Sequence, residues 1–198
     1  MPFLRVYRYN RPMFISSRRL QLLSALIMVV VIGAVFIVTQ HKPAPDIRFP
    51  LLDGRELALS SLIGRPVLVT FWASTCIECR KEMPDLIALY EELSPSGFEI
   101  IAIAMPYDPP NRVLETSVRM QLPYAVALDI DGAAVQSFGD VAVTPSSFLI
   151  APDGKIVMRH TGVLDIDQLR RQVIAMLGPR SVANHSPATD CNGQPCSG

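Results

Sequence analysis

The chain has 198 residues, nearly half of them apolar, which is room for one domain of ordinary size and a short additional segment. Its 18 basic and 18 acidic residues cancel, but unevenly: every acid lies at or beyond Asp46, and from there on 12 bases stand against 18 acids, a net of −6. That balance argues against nucleic acid as a partner.

Residues 1–19 carry Arg5, Arg8, Arg11, Arg18 and Arg19 and no acid, and Leu20 to Val38 is then apolar apart from Gln21, Ser24 and Gly33. Nineteen helical residues span about 28 Å, close to the hydrocarbon thickness of a bilayer. Thr39-Gln40-His41-Lys42-Pro43 contains no small-x-small cleavage site, so residues 20–39 read as a retained signal anchor rather than a cleaved leader or a buried helix. The preceding arginines keep residues 1–19 in the cytoplasm as a basic arm and send the chain beyond the anchor to the other side. The expectation is a single-pass protein of the inner (plasma) membrane, with its domain on the periplasmic side and residues 40–45 as a polar, proline-containing linker.

The domain is expected over residues 46–178. Ile47-Arg48-Phe49 and Leu57-Ala58-Leu59 flank Leu52-Asp53-Gly54-Arg55, and Asp-Gly between apolar runs signals a hairpin. Ser60 is placed to cap a brief helical turn ending at Gly64. Pro66 to Trp72 is an apolar run with the pattern of a strand buried on both faces. Beyond it the period changes: Met83, Leu86, Ile87 and Tyr90 follow helical spacing, so strand gives way to helix near Cys76, with a kink expected at Pro84. Phe98 to Ala104 predicts a second buried strand, parallel to the first through a right-handed crossover. Asn111 is a candidate cap for a helix to about Met120. Ala125–Leu128 resumes a strand, and Ala133 to Phe138 a short helix stopped by Gly139. Val143 to Ile150 is a strand with proline at its entry, turned by Ala151-Pro152-Asp153-Gly154 into an antiparallel strand from Lys155 to His160. Asp165 and Gln168 open a last helix with Ile166, Leu169, Val173, Met176 and Leu177 on one stripe. Residues 180–198 are polar and small and are expected to be disordered.

Chemistry concentrates at Cys76-Ile77-Glu78-Cys79, directly after the buried strand. A thiol at a helix N-terminus faces free N–H groups and the positive end of the helix dipole, which favour the thiolate that attacks disulfides. A structural zinc site would need two further ligands at suitable spacing, which three scattered histidines do not offer. The pair therefore reads as a redox centre, with no metal and no organic cofactor expected.

From about Pro45 to Leu177 the chain resembles the TlpA-like thiol-disulfide reductases, membrane-anchored members of the thioredoxin superfamily. The resemblance rests on the Asp-Gly hairpin, Gly64-Arg65-Pro66, Phe71-Trp72-Ala73, Cys76-x-x-Cys79-Arg80-Lys81-Glu82-Met83-Pro84, Val143-Thr144-Pro145 and the Pro152-Asp153-Gly154 turn. It implies a thioredoxin-like α/β fold, a central mixed sheet flanked by helices. It further implies Cys76 as the attacking and Cys79 as the resolving half of a redox-active disulfide, Glu82 as the active-site acid and Pro145 as a cis-proline. Trp72, Thr75 and Thr144 become substrate-contacting positions. The partners it implies are protein disulfide substrates and a membrane electron donor that re-reduces the dithiol. Without the resemblance, Glu82 reads as an ordinary solvated carboxylate and Pro145 as a trans proline.

Two positions depart from the family: Thr75 stands where tryptophan is common, and Glu78 where proline is. The first removes an apolar docking surface. The second places a negative charge near Cys76, which raises its pKa, favours the disulfide and so points to a reductant. A peroxiredoxin would want Thr or Ser three residues before its cysteine and Pro seven before, where Ala73 and Val69 stand. Two alternatives stay open: a disulfide oxidase or isomerase, and a Sco-type copper chaperone, for which Arg80 occupies the usual second-cysteine position and His160 is the candidate ligand. Cys191 and Cys196 read as a small tail disulfide or two free thiols without catalytic role.

Overall fold

The computed structural model describes residue 21, residues 24–31 and residues 42–178. The Asp53-Gly54 signal is realised as two short antiparallel strands, β1 (Arg48–Pro50) and β2 (Glu56–Ala58). Gly54 turns the chain between them at φ +83°, a region that glycine enters without steric cost. A 3-10 turn, Leu59–Leu62, comes next. Ser60 lies inside that turn instead of capping it, and it is Ser61 whose hydroxyl closes the turn by donating to the Ala58 carbonyl at 2.6 Å.

The sheet is built on β3 (Val67–Trp72), whose six side chains are all buried. The long helix α1 (Ile77–Leu93) runs without interruption through Pro84. It leads to β4 (Glu99–Ala104), parallel to β3. Next come α2 (Pro110–Met120), β5 (Ala125–Leu128) parallel to β4, and the short α3 (Ala133–Ser137). The residue that caps α2 is Pro109 and not Asn111, which lies within the first turn, because the ring of Pro110 drives the residue before it out of helical backbone into an extended one. β6 (Ser146–Ile150) pairs antiparallel with β3, and β7 (Ile156–Thr161) pairs antiparallel with β6. The helix α4 (Ile166–Leu177) closes the domain, its first turn capped by the Asp165 carboxylate, which accepts the Gln168 N–H at 2.9 Å. The strand order is therefore β5-β4-β3-β6-β7, a five-stranded mixed sheet.

Side-chain alternation along β3 divides the core. Leu68 and Trp72 face one side, with Met83, Leu86, Leu89 and Leu93 of α1, Val113 of α2, and Leu169 and Val173 of α4. Val67, Val69 and Phe71 face the other, with Phe49, Leu51, Phe138 and Phe148. Thr70 is the one polar residue of β3, and it is satisfied across the ladder by the Ser147 hydroxyl at 2.9 Å.

The described residues belong to two units, one ending at Gln40 and one starting at His41. In the first, residues 24–31 are helical and exposed. Among the described residues no helix is long and apolar enough to cross a membrane. The rest of the expected anchor at 20–39, the arm at 1–19, residues 40 and 41, and the tail with Cys191 and Cys196 lie outside the described residues. Of the expected linker at 40–45, residues 42–45 are described and lie in the second unit. Pro43 bridges to Lys155, Ala44 donates to the Gly154 carbonyl at 2.8 Å, and Ile156 donates to the Lys42 carbonyl at 2.9 Å, so residues 42–44 are bonded to the β6–β7 turn.

Candidate active site

The junction between β3 and α1 presents both cysteines. The Cys76 N–H donates to the Ala73 carbonyl at 3.0 Å, which turns the chain off the strand. Cys76 then takes an extended conformation as the N-cap of α1, and its sulfur accepts the Cys79 N–H at 3.1 Å. The sulfur thus occupies the place that a serine or aspartate oxygen fills in an ordinary cap. Cys76 and Cys79 are joined in a disulfide, with Cα atoms 5.3 Å apart. Cys76 is half-buried, whereas Cys79 is 3% exposed. An incoming sulfur can therefore reach the first cysteine and not the second. Thr75, one residue ahead, is exposed.

One turn below Cys79, Glu82 is 3% exposed, so it is not a solvated carboxylate. Its Oε1 accepts the Leu164 N–H at 2.5 Å. Burial pushes the Glu82 carboxyl above its ordinary range, and the Leu164 N–H and the nearby His160 pull it partly back. Tyr124 is pushed up too, by its own burial and then by the Glu82 charge. The β3–β6 register sets Phe71 opposite Ser146, which brings Pro145 to the Cys76 end of the sheet. The Thr144–Pro145 peptide is cis, and the Pro145 carbonyl accepts the Gly162 N–H at 2.8 Å. Three segments far apart in sequence, 76–82, 144–146 and 162–164, thus meet at one end of the sheet.

Two expectations change. Trp72 is 2% exposed and offers no surface to a substrate, because strand alternation turns its ring onto the face that packs against α1. The Glu78 carboxylate is ion-paired with Lys81 at 2.9 Å, so the negative field attributed to it at Cys76 is offset by a neighbouring cation. Thr144 is half-buried. His160, the candidate copper ligand, has its ring Nε2 3.0 Å from the Val163 carbonyl oxygen. No group of three or more His, Cys, Asp or Glu placed to hold a metal ion occurs among the described residues.

A further pair escapes a reading by spacing. Asp108, in the loop after β4, is 6% exposed, and its two oxygens accept the Ser74 N–H at 2.5 Å and the Ser74 hydroxyl at 2.6 Å. Their 34-residue separation hides the contact; the signal that could have found it is parallel pairing of β3 with β4, which sets the loops after the two strands side by side.

The redoxin family model matches residues 39–173. This chain belongs to the redoxin family. Within it, the chain is 33% identical over 129 residues to the thiol-disulfide oxidoreductase ResA of Bacillus thuringiensis subsp. konkukian, covering 65% of this chain and 73% of that one. It is 28% identical over 166 residues to ResA of Bacillus subtilis, covering 78% and 88%. Among solved structures, a thioredoxin family thiol:disulfide interchange protein from Chlorobium tepidum superposes on the redoxin domain with TM-score 0.65 at 25% identity, over 71% of this chain and 99% of that one. The mixed sheet with its flanking helices is accordingly a thioredoxin-like fold, and the chain is an enzyme of the thiol-disulfide oxidoreductase class.

Proposed function

We propose that this redoxin reduces disulfides of other proteins outside the cytoplasm, tethered to the membrane by residues 20–39. The observation that carries the reading is the inequality of the two sulfurs: Cys76 is reachable at the helix cap, while Cys79 is buried above the Glu82 carboxyl. In the reduced enzyme the Cys76 thiolate attacks one sulfur of a substrate disulfide. A Cys76–substrate bond forms, the substrate S–S bond breaks, and the departing sulfur takes up a proton. Cys79 then loses its proton and attacks Cys76, forming the Cys76–Cys79 disulfide and releasing the second substrate thiol. Two electrons and two protons pass to the substrate in all. A membrane electron donor restores the dithiol.

Glu82 is suited to take the Cys79 proton, since a carboxyl raised by burial exchanges protons closer to neutrality. Thr75 and Thr144 flank the path of a substrate segment laid beside Pro145. The reducing direction is supported by Glu82, whose negative charge close to the thiols opposes a thiolate and favours the disulfide. The full-length protein is expected to have a reduction potential nearer thioredoxin's, about −270 mV, than the roughly −120 mV of a strong oxidant. Equilibration with glutathione or dithiothreitol buffers measures it, and a value at the oxidising end would replace reductase by oxidase.

The location is supported by the arginines that precede Leu20–Val38. An alkaline phosphatase fused after Asp46 is expected to be active, and the full-length chain to fractionate with membranes. An inactive fusion, or a mature protein beginning near residue 40, would remove the tether from the reading.

A further inference from the structure

The buried carboxylate of Asp108 has no part in the thiol exchange between Cys76, Cys79 and substrate. It is 6% exposed, yet among the described residues no basic side chain forms an ion pair with it. Its two acceptor positions go to a single neutral residue, Ser74, two positions before Cys76. Burying a carboxylate is costly, and the two hydrogen bonds from Ser74 are what offset that cost here. A role for it lies in what Ser74 carries.

Residues 73–75 leave the β3 ladder and have not yet entered α1, so their backbone depends on local bonds. The Ala73 carbonyl is held by Cys76 N–H, and the Ser74 N–H by Asp108. The Asp108 loop is tied to the same end of the sheet: Asp108 N–H donates to the Met105 carbonyl at 2.9 Å, and Met105 N–H to the Trp72 carbonyl at 3.0 Å. The circuit Trp72–Met105–Asp108–Ser74 therefore fixes the approach to the cap from both sides. The conformation it fixes is the one that aims the Cys76 sulfur at the Cys79 N–H.

We propose that Asp108 is a positioning residue: by clamping the Ser74 N–H and hydroxyl it holds residues 73–76 in the shape that makes the Cys76 sulfur the cap of α1, and so keeps Cys76 available as a thiolate. The inference rests on Cys76 being the reactive thiol, and is independent of the direction in which electrons flow.

Asp108→Asn separates geometry from charge. Its Oδ1 accepts the Ser74 N–H, and its Nδ2 donates to the Ser74 hydroxyl turned round as acceptor, so the clamp survives without the negative charge. Asp108→Ala loses both. The other charges around the thiol, Glu78, Arg80, Lys81 and Glu82 on α1 and His160 on β7, are the same in every variant. The measurement is the rate of iodoacetamide modification of Cys76 against pH in the reduced full-length chain, read on the Cys76 peptide by mass spectrometry, so that a wrong electron-flow direction, seen in the potential, cannot be mistaken for failure here.

Asp108→Asn is expected to alkylate with a midpoint at or below that of the unmodified chain. Asp108→Ala should have a midpoint higher than Asp108→Asn by roughly one pH unit, which is about tenfold less thiolate below the midpoint. A midpoint in Asp108→Ala equal to or below that of Asp108→Asn would overturn the proposal and leave the carboxylate as a through-space charge or a packing element. Should Asp108→Ala fail to fold, Ser74→Ala decides, since it frees the hydroxyl end and keeps the charge: a raised midpoint upholds the clamp, and an unchanged one overturns it.

Discussion

Replacing Cys79 with alanine in the full-length chain is expected to stop turnover at the mixed disulfide. The first exchange needs only the reachable Cys76 sulfur, so substrate still becomes attached. Release needs a second thiol held against the new bond, and Cys79, one helical turn away, is the group in place to supply it. An external thiol at millimolar concentration replaces a neighbour whose effective concentration is many orders higher, so turnover should fall on the order of a thousandfold or more. Non-reducing electrophoresis with mass spectrometry reads the adducts, and the identities of the trapped proteins report the substrates. Cys76→Ala should form no adduct at all. Adducts on Cys79 in Cys76→Ala, with none on Cys76 in Cys79→Ala, would reverse the two roles.

Glu82→Gln should act on stability and on the thiols together. Glutamine keeps the shape, and its Oε1 still accepts the Leu164 N–H that ties the β7–α4 loop to α1. What it removes is a buried charge. In the unfolded chain the Glu82 carboxyl titrates at its ordinary position, and in the folded chain it titrates higher. Between the two, the native state holds a proton the unfolded state has lost, so native stability falls as pH rises through that window and stays lower above it. The glutamine variant should therefore be more stable than the unmodified protein at pH 7 and lose that advantage near pH 4, as read by urea unfolding at the two pH values. In the reduced protein, loss of the charge should move thiolate formation to lower pH, observed as a shift in the apparent values of the coupled group. Disulfide reduction at pH 7 should slow for want of the proton acceptor. Unfolding curves, thiol titration and rate all matching the unmodified protein would leave Glu82 a merely structural acceptor for Leu164.

The sheet and helices were legible along the chain because each of those elements announces itself locally. The continuous apolar run of β3 and β4, the helical spacing of Met83, Leu86, Ile87 and Tyr90, and the Asp53-Gly54 turn each reflect a backbone period or a φ requirement that a few neighbouring residues dictate. The Cys76–Cys79 spacing at a strand-to-helix junction belongs to the same class, and so did its redox chemistry. Cap positions were less legible. Serine at 60 and asparagine at 111 have the right chemistry for caps, but the cap is whichever residue the chain path leaves in extended conformation, here Ala58 and Pro109.

What only the tertiary structure decided is burial and long-range pairing at the sheet's active end. Whether Glu82 is solvated depends on the arrival of Leu164 from 82 residues away, and no property of α1 alone fixes that. Trp72 is core rather than a surface for substrate because β3 alternation packs its ring against α1. Asp108 and Ser74 carry no motif between them. They meet because β3 and β4 run parallel and side by side, and a contact made by strand order leaves no period in the sequence for a local pattern to detect.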